Sequence, residues 1–229
     1  MLVLLDLDDT LCNTWEAGKR TILASIPTFL RRGKVRAVLY VLTGKFRELE
    51  GSEKAHMLDF EELVGLILRR VYGDVSEEDV SYFSQKIEEL FFKHLRLYPD
   101  SIPFLRGLKE LGARIVLITD SSTRWQRRKI EFLGIGDYLD GVIISGETGH
   151  SKLEDYNFRL ALERFPDEEV YVIGDRDETD MRGGKSIGAT TILVRRGYYR
   201  SRKSRFADYV VGNLLEALEV IRREHEKRT

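Results

Sequence analysis

Five short apolar runs constrain what this chain can fold into more than any other feature. They cover residues 2–5, 114–118, 141–144, 170–173 and 190–194, and each ends in polar residues or glycine. A run of four or five apolar residues without polar alternation reads as a strand buried on both faces, the environment of a parallel sheet. Helical patterns lie between the later runs. Phe104, Leu105, Leu108 and Leu111 share one face, as do Phe158, Ala161, Leu162 and Phe165, and approximately Trp125, Ile130 and Leu133. Strands alternating with helices predict an α/β fold with a parallel sheet and right-handed crossovers.

Residues 14–98 break that rhythm. Leu63, Leu66, Ile67 and Arg70 show helical spacing, and so do Val80, Phe83, Ile87, Leu90 and Phe91. Ser76 followed by Asp79 resembles a helix start. Pro99 and Pro103 bracket the return to the sheet pattern. The spacing therefore predicts a sheet-bearing core of residues 1–13 and 99–229, with a smaller all-helical domain, residues 14–98, inserted after the first strand. Such an insert sits over the strand ends, where open α/β sheets bind ligands. A last amphipathic helix is expected over about residues 213–224, through Leu214, Leu215, Leu218 and Ile221.

Composition narrows the partners. The 37 Lys+Arg nearly cancel the 38 Asp+Glu, so neither nucleic acid nor an anionic membrane is the expected partner. Cys12 is the one cysteine of the 229 residues, which excludes an intrachain disulfide and a cysteine zinc cluster. No apolar run approaches the roughly 18 residues that span a bilayer. No basic segment precedes the apolar start, and Asp6, Asp8 and Asp9 follow at once, unlike a signal peptide. A cytoplasmic protein is expected.

The chemistry gathers at the ends of the apolar runs. The first delivers Asp6, Asp8, Asp9 and Thr10. In extended chain two carboxylates two residues apart face the same side, and clustering raises the cost of ionising both. A divalent cation, or a phosphoryl group arriving with its metal, would relieve that cost. The fourth run ends in Gly174-Asp175-Arg176-Asp177-Glu178-Thr179-Asp180, a glycine turn followed by carboxylates. Hard oxygen ligands from two strand ends suit Mg2+. The second run ends in Thr119-Asp120-Ser121, a hydroxyl with backbone N–H groups suited to a phosphate oxygen. Lys152 follows the third run and is the cation placed among these groups.

Together these residues resemble the haloacid dehalogenase-like superfamily, in its phosphatase branch that includes phosphoglycolate phosphatases. Its D-x-D-x-T motif appears as Asp6, Asp8 and Thr10. Its strand-terminal Ser or Thr appears as Thr119, its Lys as Lys152, and its G-D-x-x-x-x-D as Gly174, Asp175 and Asp180. The four occur in order. Two features depart from the pattern: Lys152 lacks the prolines that often follow it, and Asp120 stands where Asn is common.

The resemblance implies a Rossmann-like core with a helical cap and a small phosphorylated substrate. Asp6 would attack phosphorus and carry an aspartyl-phosphate. Asp8 would act as general acid and then base, so it must be able to carry a proton. Asp6, the backbone carbonyl of Asp8 and Asp175 would hold Mg2+, with Asp180 as a further ligand through water or an orienting group. Thr119 and Lys152 would hold the phosphoryl oxygens, with Thr10 and Asp120 also on the substrate's side. Dehalogenases of the same fold lack an acid two residues after the nucleophile, so Asp8 argues against dehalogenation. A sugar phosphomutase and a non-catalytic binding module on this fold stay open as alternatives. Monomer and dimer both stay open.

Several other residues are read as ordinary surface or packing. They are Lys19, Arg20, His56 and Arg69, the aromatic Trp15, Phe91 and Phe92, and His94. The basic, tyrosine-bearing residues 195–205 are read as a solvated loop rather than a nucleic-acid surface.

Overall fold

A computed structural model describes residues 1–44 and 58–228. Its centre is a six-stranded sheet: β1 (Leu2–Leu5), β2 (Arg114–Thr119), β3 (Gly141–Ile144), β4 (Val170–Gly174), β5 (Thr190–Val194) and β6 (Tyr209–Val211). The spatial order is β3-β2-β1-β4-β5-β6, and every pair is parallel. The five expected strands are present. The three-residue β6 was not expected, because so short a run carries no periodicity of its own.

Both faces of the sheet are covered, which is why its strands read as unbroken apolar runs. Val3, Leu5, Ile115, Leu117, Tyr171 and Ile173 point to one side. There they meet Phe104, Leu105 and Leu108 of α5 (Ser101–Glu110) and Leu218 and Ile221 of α10 (Leu214–Glu226). Leu2, Leu4, Val116, Ile118 and Val172 alternate to the other side, against Phe158 and Ala161 of α8 (Tyr156–Arg164). Each such side chain contributes about 1.5–3 kcal/mol by leaving water.

The elements described between residues 14 and 98 are helices: α1 (Thr14–Arg31), α2 (Val35–Leu42), α3 (Phe60–Tyr72) and α4 (Glu77–His94). They bury an apolar cluster of their own, in which the Phe29 and Phe83 rings stack at 4.2 Å. Helix α4 starts at Ser76, whose hydroxyl accepts from Asp79 N, as its spacing predicts. The expected face of α3 is wrong by one position. Val64, Gly65 and Leu68 are buried, while Leu66 and Arg70 are exposed. Apolar residues occupy both flanks of α3, so two stripes fit the spacing, and packing against α2 and α4 selects one.

The chain leaves and re-enters the sheet domain through two adjacent strands of loop. Cys12 bridges Leu97, Asn13 N donates to Arg96 O, and Tyr98 N donates to Leu11 O. The Asn13 side chain closes the pair by donating to His94 O and accepting from Arg96 N.

Candidate active site

Topology brings the strand ends together. β1 lies at the centre of the sheet between β2 and β4, and the chain's direction of travel reverses there. The carboxyl end of such a switch point is where open α/β sheets leave a crevice. Asp6, Thr119 and Asp175 follow or end these three neighbouring strands. Beyond β1 the backbone folds back sharply: Leu11 N and Cys12 N both donate to Leu7 O, and Asp9 N donates to Cys12 O. Asp9 takes the left-handed conformation (φ 58°), which Asp tolerates better than most residues. The turn returns Thr10 to its own strand, where its buried hydroxyl donates to Asp6 Oδ2 at 2.8 Å. Thr10, expected on the substrate's side, is placed by the structure against Asp6.

Lys152 Nζ donates to Asp6 Oδ1 at 2.5 Å and to Asp180 Oδ1 at 2.6 Å, and the residue is only 4% exposed. One carboxylate oxygen from each of Asp6, Asp175 and Asp180 lies within 4.8 Å of the others. Burial pushes the Asp6 carboxyl up to about 7, with Asp180 and Asp8 adding to the rise and Lys152 opposing it. Burial, then Asp6 and Asp180, pushes Asp175 well above the carboxylate range. Burial works against the charge on Lys152, but Asp180 and Asp6 raise its pKa all the same. Three buried carboxylates against one buried ammonium leave surplus negative charge. A hard, oxygen-seeking divalent cation matches both that charge and the donor set. Asp180 is already engaged at both oxygens, since its Oδ2 accepts from Arg176 N at 3.1 Å. The backbone makes room for it: a Cβ on Gly174 would lie 2.3 Å from Asp180 Oδ2.

Asp8 has a separate set of partners. Lys129 Nζ contacts its two oxygens at 2.5 and 2.7 Å, Gln126 Nε2 donates to Oδ2 at 2.8 Å, and the Thr14 hydroxyl donates to Oδ1. Lys129 is 1% exposed and Gln126 0%. Burial alone would raise the Asp8 carboxyl, but the Lys129 charge and these hydrogen bonds outweigh it and hold it below its ordinary value. These partners favour the carboxylate form of Asp8. Chief among them is Lys129, which sequence reasoning missed. Lys129 and Gln126 sit three apart on α6 (Thr123–Leu133), in a stretch with Arg124, Arg127 and Arg128 that reads as a solvated basic face. The one available signal was that this spacing puts Gln126 and Lys129 on the same side as Ile130.

Thr119 is buried, and Gln126 Nε2 donates to its Oγ1 at 2.9 Å. With that acceptor position filled, the hydroxyl proton is left to donate elsewhere. Asp120 accepts from Lys152 N at 3.0 and 3.2 Å. Expected on the substrate's side, it also anchors the loop that carries Lys152, the loop whose usual prolines are missing. Asp177 also leaves the acidic cluster: it accepts from Ser204 Oγ, from Arg205 N and from Phe206 N.

The basic residues 195–205 fold over this edge of the site. Arg196 donates to Thr10 O and pairs with Asp100, and Tyr198 packs edge-on against Trp15 at 4.8 Å. Arg195, Arg200, Arg202, Lys203 and Arg205 are exposed. Phe91 and Phe92 pack against Trp125. Lys19 and Arg20 pair with Glu16, and Arg69 pairs with Glu77, all at the surface. His56 lies outside the described residues. No helix among the described residues is long and apolar enough to cross a membrane.

A family profile described as haloacid dehalogenase-like hydrolase matches residues 1–188. The glyceraldehyde 3-phosphate phosphatase of Methanopyrus kandleri is 32% identical over 96% of each chain. The phosphoserine phosphatase of Thermus thermophilus is 29% identical over 94% of this chain and 96% of its own. Among solved structures, an HAD phosphatase from Thermococcus onnurineus superposes with a TM-score of 0.72, at 25% identity and 96% coverage of both chains.

Proposed function

Because the chain belongs to the haloacid dehalogenase-like hydrolases, we propose that it is a Mg2+-dependent phosphatase of small phosphorylated metabolites that works through an aspartyl-phosphate on Asp6. The observation that carries this reading is the Lys152 ammonium bridging Asp6 and Asp180, with Asp175 beside them at the β1/β4 switch. Thr10 and Lys152 each bind one oxygen of Asp6 and so fix its direction. The aligned carboxylate attacks phosphorus as the bond to the leaving oxygen breaks. Thr119, with its hydroxyl proton free to donate, and Lys152 offset the charge that builds on the phosphoryl oxygens. Asp8, a carboxylate at rest, takes up a proton from solvent, gives it to the leaving oxygen, and then takes one from the water that attacks phosphorus and releases phosphate and the Asp6 carboxylate. The carboxylate form favoured at rest is the form needed in that second half.

Asp6, Asp175 and the Asp8 carbonyl would hold Mg2+, which when bound supplies positive charge against the phosphoryl oxygens. Asp180, with both oxygens engaged, acts as the group that orients Lys152. The helices described between residues 14 and 98 would serve as a cap, and substrate selection would then fall to them.

Names among the relatives direct the first substrate to try, and glyceraldehyde 3-phosphate is shared by several of them. Phosphate release from it should require Mg2+, stop with EDTA and fall by at least about 10³-fold in Asp6→Asn, the scale of a lost nucleophile. Activity that survives this substitution removes Asp6 from the mechanism.

A further inference from the structure

We propose that Lys129, supported by Gln126, is a positioning residue that fixes where the Asp8 carboxylate stands for proton transfer. This rests on the reading of Asp8 as the acid and base of a phosphatase. The argument begins with cost. A lysine that is 1% exposed gives up its hydration, and that loss is recovered only by a well-placed counter-charge. Among the described residues the ion-pair partner of Lys129 is Asp8. The contact is two-pronged, at 2.5 and 2.7 Å to the two carboxylate oxygens, so it fixes the plane of the carboxylate as well as its place.

Gln126 adds a link to the rest of the site. Its Nε2 lies 2.8 Å from Asp8 Oδ2, 2.9 Å from Thr119 Oγ1 and 2.6 Å from Asp120 O. One buried amide thus ties the end of β1 to the end of β2, and it sets Asp8 and Thr119 relative to each other. Both side chains come from α6, a rigid element capped by Ser122 at its start and by Gly134 in the left-handed conformation at its end.

The division of labour follows from placement. Lys152 reaches Asp6 and Asp180, whereas Lys129 reaches Asp8. Each aspartate of the D-x-D pair therefore has its own buried ammonium from a different element. Asp8 is partly open, its side chain 29% exposed, and without Lys129 it keeps only neutral hydrogen bonds, among them those of Gln126 and Thr14, one on each oxygen. A misplaced acid costs most where the leaving oxygen most needs a proton. Removing Lys129 should therefore harm esters of poor leaving groups selectively, which a general loosening of the fold would not do.

The test compares kcat/KM for glyceraldehyde 3-phosphate, an alkyl ester, with that for p-nitrophenyl phosphate, whose leaving group needs no proton. Lys129→Met should lower the first by about 10²-fold and the second by less than about threefold, within the range that general acid catalysis supplies. Lys129→Arg should recover part of the loss, and Asp8→Asn should show the same bias. Thermal melts identify any variant that does not fold. Gln126→Leu, which keeps the ion pair, is then the second variant and should show the same bias in weaker form. Equal losses on both esters in folded Lys129→Met, or no loss on either, overturn the proposal. Either result in an enzyme that Asp6→Asn still abolishes leaves the phosphatase reading intact, and activity in Asp6→Asn overturns that reading instead.

Discussion

At the scale of single residues, the proposed Mg2+ site turns on the titration of Asp6. Burial and neighbouring carboxylates raise Asp6 to about 7 and put Asp175 well above its ordinary range. A metal ion needs these oxygens ionised, so binding displaces a proton from Asp6 at any pH below about 7. The folded pKa is raised, so the competing proton is held below about 7 and is gone above it. Apparent Mg2+ affinity is therefore expected to rise with pH on the way up to about 7, with the Asp6 proton released on binding below that value. Calorimetric titration with Mg2+ in two buffers of different ionisation enthalpy, at about pH 6 and about pH 8, measures both the affinity and the proton released. An affinity that does not change between those two values contradicts the assignment of Asp6 as a ligand.

At the scale of elements, strand ends and loops place the charges, and glycine allows one of the closest approaches. Gly174 ends β4, and a Cβ there would fall 2.3 Å from Asp180 Oδ2 and 2.4 Å from its Cγ. Gly174→Ala should push Asp180 off Lys152 without disturbing the apolar layers behind the strand. Activity should drop by about 10- to 100-fold, the usual cost of misplacing a catalytic group by about an ångström, while the melting temperature falls only slightly. Kinetics and a thermal melt on the same sample check this, and unchanged activity would mean Asp180 does not set the position of Lys152.

The same scale shows what was legible in the sequence. β1 to β5 could be read because a parallel sheet covered on both faces leaves continuous apolar runs, and the residues at their ends carried the chemistry. Lys129 and Gln126 could not be read, because a buried lysine in a basic helix looks like its solvated neighbours until Asp8 is seen beside it. Asp120 and Asp177 look like further acid in acidic turns. Only the fold shows that one anchors the Lys152 loop and the other the loop after β5.

At the scale of the whole molecule, the strand ends carry the proposed reacting groups, and the described helices between residues 14 and 98 pack around a separate apolar cluster. Two paired stretches of chain, near Asn13 and Arg96, join them. Asp8 lies at that junction, bound both by Thr14 at the start of α1 and by α6 of the sheet domain. The proposed reaction needs the ends of β1, β2 and β4 to stay together, with Lys152 between Asp6 and Asp180. The most direct measurement is to quench the protein in acid during turnover of glyceraldehyde 3-phosphate with Mg2+ and map the peptides by mass spectrometry. One phosphoryl group is expected on the peptide that contains Asp6, localised to Asp6 and absent from Asp6→Asn. A phosphoryl group on another residue, or turnover with none on the protein at any quench time, would contradict Asp6 as the nucleophile.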